Sequence, residues 1–225
     1  MIVSGHQISY IPWLPYFDKI LKSDIFVVDD VSQFEKGGYS NRNVIKTPEG
    51  GQYLTIPVNL AEYKTKRLNQ LKIANDLSWR RKHLRAIESA YGKARYFDKY
   101  QLNLAQLYEY STENLSEFCR NFFEFILSEI TINTKIVYAS ELKNTAGKKS
   151  DFVLSLCKNL GATSYYAGIL GHNYLDIQKF KSCGIEVKFQ DYKHKEYKQQ
   201  FGGFLAGLSI LDLMMNHGSE SIKFI

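Results

Sequence analysis

Short apolar runs rich in Ile and Val alternate along this chain with longer stretches whose apolar residues recur at helical spacing. Met1–Ser4 and Ile25–Val28 read as strands. Between them Leu14–Leu21 reads as a short helix, with Pro12 and Pro15 tolerated only at its start, where the missing N–H is not needed. Leu54–Val58 reads as a strand entered from the Pro48-Glu49-Gly50-Gly51 turn, and Leu71–Ala74 as another. Ser78–Tyr91 is an amphipathic helix capped by Ser78, with Leu84, Ile87 and Tyr91 on one side and Arg81, Lys82 and Arg85 elsewhere. Leu102–Tyr110 and Leu115–Ile130 continue as helices. Thr134–Ala139, Thr163–Ala167 and Ile185–Phe189 read as strands, and Asp151–Leu160, Leu175–Ser182 and Ser209–Asn216 as helices, each stopped by a glycine. Strands apolar throughout, alternating with helices, predict an α/β fold. The expected form is Rossmann-like: a mostly parallel sheet with helices on both faces. The chain reads as one domain, residues 1–225, with a helical lobe inserted at about 78–130.

Composition and charge add a partner class. The hydrophobic content of 44% with 23% charged residues suits a globular domain able to bury a core. The start lacks a basic segment followed by a long apolar run, and no apolar stretch reaches the length of a membrane span. A cytoplasmic protein without membrane insertion is therefore expected. Cys119, Cys157 and Cys183 are widely spaced and read as reduced thiols, not as metal ligands. The net charge is +6, but residues 61–100 hold 11 Lys/Arg against 4 Asp/Glu, so the whole excess lies there. A nucleotide-linked sugar, a tRNA or an acidic carrier protein fits such a segment, as does an ordinary solvated helix face.

Candidate chemistry collects after the strands, where open α/β sheets bind ligands. His6 and Gln7 end the first strand. His6 is suited to take a proton from an amine, Gln7 to fix an amide or hydroxyl, and Tyr10 and Trp13 to stack on a sugar or base. The competing reading is a backbone-bonded histidine above packed aromatics. Asp29, Asp30 and Gln33 follow the second strand and suit sugar hydroxyls better than a metal, because adjacent side chains diverge. Asn41, Arg42, Asn43 and Lys46 form a polar, cationic loop fit for phosphate or for turn chemistry. Lys148 precedes a helix start without a P-loop frame. Gly168, Gly171 and Tyr174 follow a later strand without dinucleotide-binding spacing. Asp191 and His194 follow the last strand, as an acid/base pair or a surface loop.

Together these segments resemble the WbqC-like family of bacterial surface-polysaccharide proteins. The carrying stretches are HQISYIPWLPYFDKI, SDIFVVDDVSQF, NRNVIK, Trp79 with Lys82-His83, YFDKY, GKKSD, LGATSYYAG, GIEVKFQDYKH and LSILDLM. Ile8 and Ser9 stand where such proteins usually carry Pro-Asn. The resemblance implies O-antigen or related lipopolysaccharide biosynthesis, with glycyl or other acyl transfer to the amino group of a nucleotide-linked amino sugar. In that reading His6, Asp30 and His194 are the catalytic candidates, with His83 and His172 open as alternative bases. Arg42, Lys46 and Lys148 hold phosphate, and Asp29, Asp30 and Gln33 orient the sugar. Arg80, Arg81, Lys82 and Arg85 receive the carrier of the acyl group. No resident cofactor or metal is implied beyond an activated aminoacyl donor, a tRNA or a carrier thioester, or ATP. An ATP-dependent amide ligase working through an acyl-adenylate and a non-catalytic sugar- or RNA-binding accessory protein of glycan assembly are the alternatives, and either a monomer or an oligomer fits the sequence. The Asp29-Asp30 pair lacks DxD spacing, which argues against a metal-dependent glycosyltransferase.

Overall fold

The computed structural model describes residues 1–59, 61, 63–74, 78–143 and 145–225. The chain divides into two compact units. The first comprises residues 1–7, 15–31 and 133–193; the second comprises 8–14, 32–132 and 194–225.

The first unit is a five-stranded parallel sheet in the order β5-β2-β1-β6-β7. Its strands are β1 (Ile2–Gln7), β2 (Ile25–Asp29), β5 (Lys135–Tyr138), β6 (Ser164–Ala167) and β7 (Glu186–Phe189). The helices are α1 (Leu14–Leu21), α5 (Ser150–Leu160) and α6 (Ile177–Ser182). The order reverses at β1, which pairs with β2 on one side and β6 on the other. With right-handed crossovers, α1 lies on one face and α5 and α6 on the other. Packing agrees. Val3, Val27, Tyr165 and Ala167 share a buried cluster with Val153, Leu154, Cys157 and Phe180. On the opposite face the ring of Tyr16 from α1 lies 5.0 Å from that of Phe26. The protein is thus α/β with the parallel, Rossmann-like sheet its apolar strands predict.

The second unit joins an antiparallel hairpin, β3 (Arg42–Thr47) and β4 (Gly50–Thr55), to α2 (Ser78–Tyr91), α3 (Phe97–Glu109), α4 (Leu115–Glu129) and α7 (Ile210–His217). The segment Arg42–Lys46, read as a loop from its polar residues, is a strand. Asn43 and Ile45 point inward and are fully buried, while Arg42 and Val44 alternate outward. Ser78 is the first helical residue of α2 instead of its cap. Residues 71–74 make only isolated bridges, Lys72 to Asn114 and Ile73 to Val58. The core of this unit is aromatic: Tyr10, Tyr91, Tyr100, Tyr108, Phe118 and Phe122 are essentially inaccessible. No helix among the described residues is long and apolar enough to cross a membrane.

Candidate functional site

The strand order reverses between β1 and β6, and the carboxyl ends of the strands at such a point are where open α/β sheets bind ligands. His6 and Gln7 close β1, and Gly168 follows β6. His6 lies on the α1 face, its ring 5.0 Å from that of Tyr16. Its Nδ1 donates to the Gln7 carbonyl at 3.1 Å, which leaves the lone pair on Nε2. Burial, reinforced by the charge of Lys19, lowers its pKa to about 4, so the imidazole is neutral at physiological pH.

Lys19 is the residue that inspection of strand ends overlooked. It sits on α1, 4% exposed, and its Nζ donates to the Gly5 carbonyl on β1. The same Nζ lies 3.8 Å from where a Cβ on Gly168 would project. Burial lowers its pKa to about 7, against the opposing pull of Asp18. Asp18, 5% exposed, is itself a hub. It accepts from Tyr166 Oη at 3.2 Å and Gln190 Nε2 at 2.7 Å, and pairs with Lys22 at 2.7 Å. Gln190 also donates to the Pro15 carbonyl at 2.8 Å. These bonds clamp α1 to β6 and to the segment after β7, which fixes Lys19. A signal was present: α1 reads LPYFDKIL, and a short helix with apolar residues on either side of Asp-Lys must bury one or both charges.

The other predicted residues of this unit have varied surroundings. Asp29 takes the Val31 N–H at 3.1 Å, a turn contact. Asp30 accepts the N–H and hydroxyl of Ser140 at 2.9 and 2.5 Å, tying β2 to the turn after β5. Gly171 is buried, and a Cβ there would meet Leu175, Ala167 and Phe189 at 3.0–3.2 Å, so its small size serves packing. The Tyr174 hydroxyl is pushed up by burial and by Asp29. Lys148 and Asp191 are exposed. His172 stacks on Phe189 with ring centroids 3.5 Å apart.

The remaining candidates belong to the second unit. The opening motif changes unit at Ile8 and returns at Pro15. Its middle is a held loop. Asn43 Nδ2 donates to the carbonyls of Tyr10 at 3.3 Å and Ile11 at 2.9 Å, and Ile11 has φ +40°, a strained conformation for a β-branched residue. Trp13 packs on Tyr39 at 4.8 Å. Tyr10 is fully buried, and its hydroxyl joins a chain with the Tyr108 hydroxyl and, at 3.0 Å, His83 Nδ1. Burial lowers His83 to about 4, opposed by its hydrogen bond to the Thr55 backbone. Asn41 Nδ2 donates to Ile56 O at 2.8 Å. Arg42 donates to Gly37 O and lies 4.6 Å over the Tyr53 ring. Lys46 Nζ is consumed by Gln199 Oε1 at 3.0 Å and by Gly202 and Gly203 carbonyls at 2.7 Å. Gln33 donates to Lys64 O. Burial lowers the pKa of His194. Asp29 and Gln33 therefore fall in different units, as do Asp191 and His194. Lys82 is exposed on α2, while Arg80 is tied to the carbonyls of Tyr108 at 2.7 Å and Tyr110 at 2.5 Å. No cluster of three or more His, Cys, Asp or Glu suited to a metal occurs among the described residues.

Comparison with known proteins places this geometry in a family. No solved structure matches the chain. The uncharacterized protein Rv1507c of Mycobacterium tuberculosis is 34% identical over 221 residues, covering 97% of this chain and 95% of that protein. The family model of the WbqC-like proteins matches residues 7–224. Those residues span both units and the whole opening motif from Gln7, so this chain belongs to the WbqC-like protein family.

Proposed function

We propose that this protein is a transferase of surface-polysaccharide biosynthesis that moves an aminoacyl group, glycyl in the simplest case, onto the amino group of a nucleotide-linked amino sugar. Family membership supports the polysaccharide setting. The observation that carries the reaction class is the pairing of neutral His6 with a buried Lys19 whose pKa is about 7 at the sheet's switch point. Attack of a sugar amine on an activated ester or thioester forms the C–N bond and breaks the C–O or C–S bond. The amine loses one proton, and the departing alcohol or thiol gains one. A group titrating near the working pH suits that exchange. Lys19 has the matching pKa, and the neutral imidazole of His6, close enough to feel the Lys19 charge, is assigned to position the attacking amine. Gln7, the last residue of β1, is a further polar group for the sugar.

A second reading has one observation behind it: a parallel-sheet switch point also suits ATP, and an amide ligase would form an acyl-adenylate there. The test is mass spectrometry of reactions containing a panel of nucleotide-linked amino sugars, glycine, ATP, and a charged-tRNA or carrier-thioester source. A sugar heavier by one aminoacyl residue without ATP supports transfer. Product that requires ATP and releases pyrophosphate supports the ligase. Tight sugar binding with no product across the panel overturns both in favour of an accessory binding protein.

A further inference from the structure

The second unit contains a cavity of about 370 Å³ between β4 and the first turns of α2, within the size range of small-ligand sites. Gln52, Tyr53, Thr55, Ser78, Trp79 and Lys82 line it, with His83 in its wall. Two features define what it accepts. Lys82 is its charged group, and no carboxylate appears among the described lining residues, which selects an anion. Tyr53 is 49% exposed and presents an aromatic wall, with the Arg42 guanidinium on its ring at 4.6 Å.

The helix beside the cavity extends the anionic requirement. Arg81, Lys82 and Arg85 are exposed and make no ion pair with a described residue. Arg81 and Arg85 stand at i and i+4, a like-charge spacing that disfavours the isolated helix and is relieved by a polyanion. An aromatic wall and one cation inside, with further exposed cations on the same helix, are the elements of a site for single-stranded nucleic acid.

We propose that this cavity seats one nucleotide. Its base lies against Tyr53 and its phosphate meets Lys82, with further phosphates of a strand following Arg81 and Arg85. The site does not depend on the reaction proposed for the parallel-sheet unit, and its test reads binding instead of turnover.

The experiment is calorimetric titration of the full chain with AMP, UMP, glucose 1-phosphate and a single-stranded RNA tetranucleotide at low and high salt. Both mononucleotides bind, glucose 1-phosphate binds at least about tenfold more weakly, and Tyr53→Ala and Lys82→Ala each weaken nucleotide binding about tenfold. Both positions are exposed, so the variants fold, which circular dichroism checks. If the source is a strand, the tetranucleotide binds more tightly than AMP, loses affinity steeply with salt, and is weakened by Arg85→Ala. If the source is a free nucleotide, the tetranucleotide gains nothing and Arg85→Ala is silent. Absence of binding by nucleotides and RNA, equal binding of glucose 1-phosphate, or indifference to Tyr53→Ala overturns the proposal.

Discussion

Replacing Lys19 with methionine isolates the cost of its burial. The amine is 4% exposed and its pKa falls from 10.5 to about 7, while an unfolded chain restores the ordinary value. Between those two values the unfolded state binds more protons than the native state, so stability rises with pH across that window. Below it both states are protonated and the full penalty applies; above it the penalty vanishes. Integrating one proton between about pH 7 and pH 9 gives the wild type about 2 kcal/mol of stability that the methionine variant does not gain. The lost hydrogen bond to Gly5 O is the same at both pH values and cancels, as do all other titrating groups unaffected by the change. Urea unfolding of both proteins at both pH values measures the double difference. Parallel changes, equal within about 0.5 kcal/mol, would show that Lys19 titrates normally and would remove the basis of its assigned role.

Other expectations are independent of that result. Lys46→Met removes a buried cation from Gln199, Gly202 and Gly203 and from the field of Asp212, and is expected to cost about 3 kcal/mol by urea unfolding. Tyr10→Phe leaves His83 Nδ1 and the Tyr108 hydroxyl short of a partner and is expected to cost about 1–3 kcal/mol in the same assay. Burial pushes the Cys157 thiol up to about 12 and raises Cys119 further, while Cys183 is exposed. Brief alkylation of the native protein is therefore expected to modify Cys183 alone, and peptide mass mapping after labelling in denaturant to find all three positions modified.

The strand-helix alternation was legible because it depends on local periodicity: runs such as Ile25–Val28 are apolar on both faces only when both faces are covered. The strand Arg42–Thr47 was hidden by its polar composition. Asn43 is buried because it ties down the carbonyls of Tyr10 and Ile11, a use that no pattern of apolar residues reveals. His6 could be placed at a strand end from the sequence alone. Lys19 could not, because its place beside Gly5 and Gly168 depends on Asp18 being held by Tyr166 and Gln190, residues more than 140 positions away. Lys46 and Arg42 looked like phosphate ligands for a reason that holds equally for loop carbonyls: a cation satisfies either acceptor.

The most direct test of the central claim is the rate of aminoacyl-sugar formation by the wild type, His6→Ala and Lys19→Met under saturating substrates, with the three proteins matched for folded fraction. The account predicts that each variant loses at least about a hundredfold in turnover while still binding the sugar nucleotide, as expected when the group that exchanges the proton, Lys19, or the group that positions the amine, His6, is removed. Wild-type turnover in both variants would contradict it, and would move the chemistry away from the switch point of the parallel sheet.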